Sequence, residues 1–311
     1  ARSPDGRYIH VTNNLSYFIE FRTPAESEIT VIDTEKQIVV DRPVFVEANL
    51  VQGIDFDPKG RFSLVTLLRT KNLVPMTRIT QGWTITNGLG LVWKDGQLDQ
   101  TLLDEVNSYF ADPTDVVITP DGRYAYVTGG GVDAVAVVDL NKLVDLLESS
   151  SEDVRKNVIP NHLGYPVEYV VKRIPVGASP RGIAVSQNGK YVYVANGLSD
   201  SISVIEVDEQ EVVATINLEG PNVITTIREG NLLFHNAGIT FQDQFSCHSC
   251  HPDGNVDGMT YDIEPDGIGR NPVDNRTLRG ILDTAPFKWE GTNPSLRRDR
   301  KSTRLNSSHY S

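Results

Sequence analysis

Apolar and polar positions alternate around a glycine-centred turn at four places along the chain: "SPDGRYIHVTN", "DPKGRFSLVTL", "TPDGRYAYVTG" and "SQNGKYVYVAN". The pairs Asp5-Gly6, Lys59-Gly60, Asp121-Gly122 and Asn188-Gly189 supply the positive backbone angles of a tight turn, and the flanking β-branched and aromatic residues predict a hairpin at each. A second strand pair follows in three of the units, as "SEITVIDTEKQIVV", "DAVAVVDLNKLV" and "DSISVIEVDEQEVVATI". Four short strands per unit predict propeller blades.

The turns recur at intervals longer than the roughly 40 to 50 residues of common blade repeats, so the excess length belongs to loops. One such loop reads "NKLVDLLESSSEDVRKNVIPNHLGYP", where Leu143, Leu146 and Leu147 have helical spacing before a serine-rich, charged break. A helical insertion near residues 141–165 is predicted. Asp33, Asp139 and Asp208 fall at strand ends, where carboxylates form turns. His10 reads as a strand residue and His162 as a loop residue.

Composition narrows the class. With 311 residues and a formal net charge of -12, the chain can build a substantial core but offers no basic stripe for nucleic acid. No run of about 18 apolar residues marks a membrane helix. The first residues, "ARSPDGRYIHVTNN", start inside a repeat, which reads as a truncated N-terminus. The last, "KSTRLNSSHYS", turn abruptly polar and read as a translated sequencing adapter, with native sequence stopping near Arg298 and His309 outside it.

Both cysteines lie in "FSCHSCHPDG". The order Cys247-His248-Ser249-Cys250-His251 is C-x-x-C-H, the spacing for two thioether bonds to one haem with the adjacent histidine on its iron. Structural zinc wants four ligands, and there is no second cysteine pair. A redox C-x-x-C belongs on a thioredoxin-like βαβ unit that the preceding residues do not form. A disulfide across two residues closes almost no loop. A c-type haem is therefore the expected cofactor, held by Cys247 and Cys250 and ligated by His251, with His248 on the surface and His235 on the polar face of a short helix.

The turns "YIHVTNN", "YAYVTGG" and "YVYVANG" resemble the YVTN family of surface and periplasmic β-propellers over residues 1–220. Residues 229–296 resemble the first haem module of the bacterial di-haem cytochrome c peroxidase family, through "GNLLF", "CHSCHPDG", "VDG", "NRTLRG" and "APFKWEG". Together these imply an all-β propeller, partial and with about four blades visible over 1–222, followed by a small, mainly α-helical cytochrome c-type domain over 223–298 and an adapter-derived tail over 299–311.

The second resemblance also implies roles. Trp289 matches a tryptophan that relays electrons between two haems, and Asn275 an asparagine of an inter-haem calcium site. Arg276 and Arg279 are candidate partners of the haem propionates. The family's second axial histidine has no counterpart here, which leaves an open haem face or Met259 as sixth ligand, and one haem motif is present where the family has two. The expected protein is a periplasmic or cell-surface haem oxidoreductase of peroxidase type that uses the propeller for docking. It would carry one haem c here and a second in the full-length chain, with calcium between them. Its expected partners are hydrogen peroxide and an electron donor such as a small cytochrome or cupredoxin. The alternative is a non-enzymatic electron carrier or surface interaction protein, and a dehydrogenase site in the propeller finds no ligand constellation.

Overall fold

A computed structural model describes residues 1–15, 23–74, 84–221, 223–262, 272–287, 291 and 293–296. Among these residues, four four-stranded antiparallel sheets follow one another along the chain. The first contains β1 (Tyr8–Thr12), β2 (Glu26–Asp33), β3 (Ile38–Asp41) and β4 (Val44–Val46). Here β3 and β4 pair with the two halves of β2, so they form one outer strand interrupted at Arg42-Pro43. The second runs in order through β5 (Ile54–Phe56), β6 (Phe62–Thr70), β7 (Ile85–Trp93) and β8 (Leu98–Leu102). The third holds β9 (Pro113–Ile118), β10 (Tyr124–Gly129), β11 (Ala134–Asp139) and β12 (Val170–Pro175), and the fourth β13 (Pro180–Val185), β14 (Tyr191–Asn196), β15 (Ser201–Glu206) and β16 (Glu211–Asn217). These are propeller blades, each a meander whose neighbours in sequence pair in space.

The repeated turns share one hydrogen-bond scheme. In the third blade the Thr119 hydroxyl donates to Asp121 at 2.6 Å and accepts from the Tyr124 amide at 3.0 Å, while Asp121 accepts from the Arg123 amide at 3.0 Å. Ser3 with Asp5 and Ser186 with Asn188 repeat it in the first and fourth blades. A short polar side chain thus satisfies turn amides that the ladder leaves free. The four turn glycines have φ between 68° and 73° at Gly6, Gly60, Gly122 and Gly189, a region that costs other residues a Cβ clash.

Successive blades are tied at their innermost strands. Asp55 accepts from the Ile118 amide at 2.8 Å, and Asp115 accepts from the Ile183 amide at 3.2 Å. Between the faces lie apolar layers: Ile29, Phe45, Val65 and Leu67 around the first two blades, and Tyr126, Val137, Val192 and Ile205 between the last two. The largest layer joins Leu64, Leu89, Val127 and Val138 to the segment inserted between β11 and β12. That segment starts with α1 (Leu140–Ser149), capped by Asp139, which accepts from the Asn141 and Lys142 amides at 3.0 and 3.2 Å. Leu140, Leu143, Val144 and Leu147 bury its inner face, and the insertion closes with α2 (Pro166–Tyr169), whose Tyr169 is fully buried.

Beyond the fourth blade the described chain differs from the mainly α-helical domain expected. It has one α-helix, α3 (Thr226–Phe234), several three-residue 3-10 turns and a small hairpin of β17 (Thr260–Asp262) and β18 (Pro272–Asp274). Positive φ at Gln242, Asp243, Asp253, Gly254, Gly258 and Gly280 breaks the helical path repeatedly, and Pro252 supplies no amide to extend a helix across the haem motif. Among the described residues no helix is long and apolar enough to cross a membrane.

Candidate functional site

The C-x-x-C-H turn is seated on the propeller. Asp112, at the entrance to β9, accepts from the hydroxyls of Ser246 and Ser249, both at 2.5 Å. Those hydroxyls in turn accept the amides of His248 at 3.0 Å and Ser246 at 2.9 Å. One buried carboxylate of the third blade therefore organises four polar groups of the turn. Alongside, the Asn87 side chain donates to the Gln244 carbonyl at 3.1 Å, and the Ala237 amide donates to the Gly131 carbonyl at 2.8 Å. Asn87 is fixed from below by Asp104, fully buried, whose oxygens accept the Asn87 and Phe110 amides at 2.7 Å each. Burial pushes the Asp104 carboxyl up to about 7.

Cys247 is exposed and Cys250 half-buried, with no disulfide between them. Cys250 packs against Leu50, Leu68 and Ile85 on one side and against Met259, Tyr261 and Ala25 on the other. Burial raises its thiol above the ordinary range, so at neutral pH it holds its proton and is a poor nucleophile. The His251 amide donates to the Cys247 carbonyl at 2.9 Å, which closes a turn across the motif. The His251 Nδ1 lies 3.3 Å from the Asn255 carbonyl oxygen. A carbonyl only accepts, so Nδ1 carries the hydrogen and Nε2 keeps its lone pair, the arrangement of an axial histidine with its backbone partner. Two reduced cysteines at this spacing and a histidine with a free Nε2 fit a c-type haem.

The hairpin behind the motif is pinned to it. Asn275 donates through its side-chain nitrogen to the Cys250 carbonyl and to Asp257 at 3.0 Å. The buried Asp257 also accepts from the Tyr261 hydroxyl at 2.5 Å and from the Met259 amide at 3.0 Å. Desolvation raises the Asp257 carboxyl, and the donors around it oppose that rise. Met259 is 1% exposed, in the same apolar cluster as Cys250. Arg276 and Arg279 are exposed, the latter donating to the Asp253 carbonyl at 3.4 Å. Trp289 lies outside the described residues.

Two histidines sit differently from their sequence reading. His248, expected at the surface, is 4% exposed, because its ring turns inward between the His235 ring, with centroids 4.9 Å apart, and Arg181 of β13. His235 ends α3 half-buried. Neither Asp112 nor Arg181 was legible as a site residue. They enter the site from blades more than 65 residues earlier in sequence, and only the paired serines of "SCHSC" hinted at a shared acceptor.

Comparisons with known proteins agree with the blades. Residues 167–223 match the family described as "Lactonase, 7-bladed beta-propeller". Hydrazine synthase subunit beta of Kuenenia stuttgartiensis is 27% identical over 205 residues, which cover 65% of this chain and 51% of that protein. The chain thus spans about half the length of the curated relative it matches. In the solved structure of Kuenenia stuttgartiensis hydrazine synthase, a chain superposes with a TM-score of 0.61 at 26% identity, covering 66% of this chain and 57% of that one. The periplasmic gluconolactonase of Pseudomonas aeruginosa aligns at 18% identity with a TM-score of 0.46, over 71% of this chain and 57% of that one. The chain has a β-propeller fold, similar over part of its length to lactonase-type propellers and to hydrazine synthase subunit beta.

Proposed function

We propose that this chain is a propeller subunit that holds a c-type haem for an extracytoplasmic redox enzyme, with Cys247 and Cys250 as attachment points and His251 as axial ligand. The observation that carries the reading is the pairing of two free cysteines with an oriented His251 on a turn clamped by Asp112. Likeness to hydrazine synthase subunit beta supports a place as one subunit of a larger enzyme assembly. When bound, haem supplies one-electron chemistry.

The protein's own residues have definite tasks in this reading. Asp112 fixes the turn, Asn255 orients the His251 ring through its carbonyl, and Asn275 with Asp257 holds the backbone of Cys250. Arg276 and Arg279 stand in solvent near the motif, where guanidinium groups can meet carboxylates. A peroxidase-type role needs one face of the iron open to substrate. A pure electron carrier needs that face filled, and Met259, buried in the Cys250 cluster, is the thioether best placed to fill it.

The test is to make the chain in a bacterial periplasm with haem-attachment machinery and measure covalent haem after denaturation. One haem per chain, lost in the double variant Cys247→Ala/Cys250→Ala, is the expected result. A chain that folds without covalent haem overturns the assignment. Adding peroxide then separates the two roles: a high-spin ferric spectrum that changes on mixing supports the peroxidase-type reading. An unreactive low-spin spectrum that becomes high-spin in Met259→Ala supports the carrier.

A further inference from the structure

Next to the haem motif, one ring nitrogen each from His235 and His248 and one carboxylate oxygen of Asp253 lie within 4.8 Å of one another. We propose that these three residues form a second metal site, for zinc or a similar divalent ion, separate from the haem iron.

Three features carry the proposal. The first is an orphaned ligand atom: His235 Nδ1 lies 2.9 Å from the Asn231 carbonyl and so carries the hydrogen, while its Nε2 is buried with no hydrogen-bond partner. A buried nitrogen lone pair without a donor is costly, and a metal ion would satisfy it. The second is that a His248 ring nitrogen faces the same cluster; its Nδ1 lone pair accepts the Asp253 amide at 3.2 Å, and an ion bound there would take that amide's place.

The third is a cation already held there. Arg181 donates to Asp253 Oδ1 at 3.0 Å, and its other terminal nitrogen lies 3.5 Å from His248 Nδ1. The guanidinium thus occupies the position of positive charge between two of the three ligands. Zinc–nitrogen and zinc–oxygen bonds of about 2.0–2.1 Å bring tetrahedral ligands to about 3.4 Å apart, so the cluster must close by less than one bond length. Two histidines and one carboxylate make a three-ligand set that leaves the fourth position to water or a small ligand. The cluster opens on a cavity of about 500 Å³ lined also by Ser179, Asn231 and Phe234, which gives that position access from solvent.

The experiment uses the full chain as produced. After chelator treatment and exchange into metal-free buffer, zinc chloride is titrated against a chromophoric competitor, and covalent haem is read separately by its absorbance. One zinc per chain is expected, with affinity at least tenfold weaker in His235→Gln and in Asp253→Asn. Arg181→Ser should bind zinc more tightly than the unaltered protein, because the competing cation is gone, whereas an ion pair serving only stability predicts no gain. The two weakening variants must retain the haem content and melting behaviour of the parent. No stoichiometric zinc binding, or binding that survives both substitutions unchanged, overturns the site.

Discussion

The carboxylate of Asp112 holds the Ser249 hydroxyl at 2.5 Å across 137 residues of sequence. That bond, doubled by Ser246, makes the position of the C-x-x-C-H turn a property of the third blade, where a free loop would leave it to solvent.

Asp112→Asn should loosen the turn. Hydrogen bonds to a charged group contribute about 1.5–3 kcal/mol each, and the amide retains one acceptor oxygen, so a loss of about 2–3 kcal/mol is expected. Chemical denaturation measures it. A further readout is the accessibility of Cys247 to a thiol reagent, which should rise as the turn loosens.

Asn275→Ala removes the donor shared by the Cys250 carbonyl and the buried Asp257. Asp257 keeps Tyr261 and the Met259 amide, so the cost should be about 1–3 kcal/mol. Thermal melts with and without calcium test what the residue does: a positional donor gives the same loss in both, and a calcium ligand gives a loss only where calcium is present.

Asp104 links stability to pH. Its folded pKa of about 7 stands above the ordinary carboxylate value of 3.8, because burial disfavours the anion. Between these limits the folded chain binds more protons than the unfolded one, so this group's contribution falls as pH rises from about 4 to about 7 and is flat above. The difference in stability between the parent and Asp104→Asn should shrink across that window. A difference independent of pH between 4 and 8 would show that Asp104 is ionised throughout.

Gly53 marks where two blades meet. A Cβ there would stand 2.4 Å from the Asp115 Cα and 2.8 Å from the Val116 nitrogen, both backbone atoms of the next blade's inner strand. Gly53→Ala should therefore destabilise by roughly 1–3 kcal/mol, the range for overpacking a closed interior, and Gly60→Ala offers a control with open space around the new methyl but a positive φ. Differential scanning calorimetry compares the two.

The blades were legible because their information is local. A hydroxyl, an Asp or Asn two residues on, and a glycine define three of the four turns within about six residues, and Leu143 with Leu147 marks the buried face of α1 over one helical turn. Cysteine spacing is local in the same sense. What could not be read is whatever depends on partners far along the chain. The inward turn of His248 requires Arg181 and His235, and the irregular path after α3 depends on the amides and carbonyls that Gly131 and Asn87 offer from the propeller. A resemblance to helical haem modules carries the motif residues but not the backbone that this propeller surface imposes.

The same contrast in contact range sets an order of assembly. Blade turns close within five residues and can form as soon as their own stretch of chain is available. The bonds from Asp112 to Ser249 and from Asn72 to Thr260 span 137 and 188 residues, so they wait for two or three finished blades. On a chain emerging from its N-terminus, the segment with Cys247 and Cys250 docks after these blades. Until then both sulfurs stay open to the surroundings, and the propeller behaves as a latch that closes on the turn only once those blades are built.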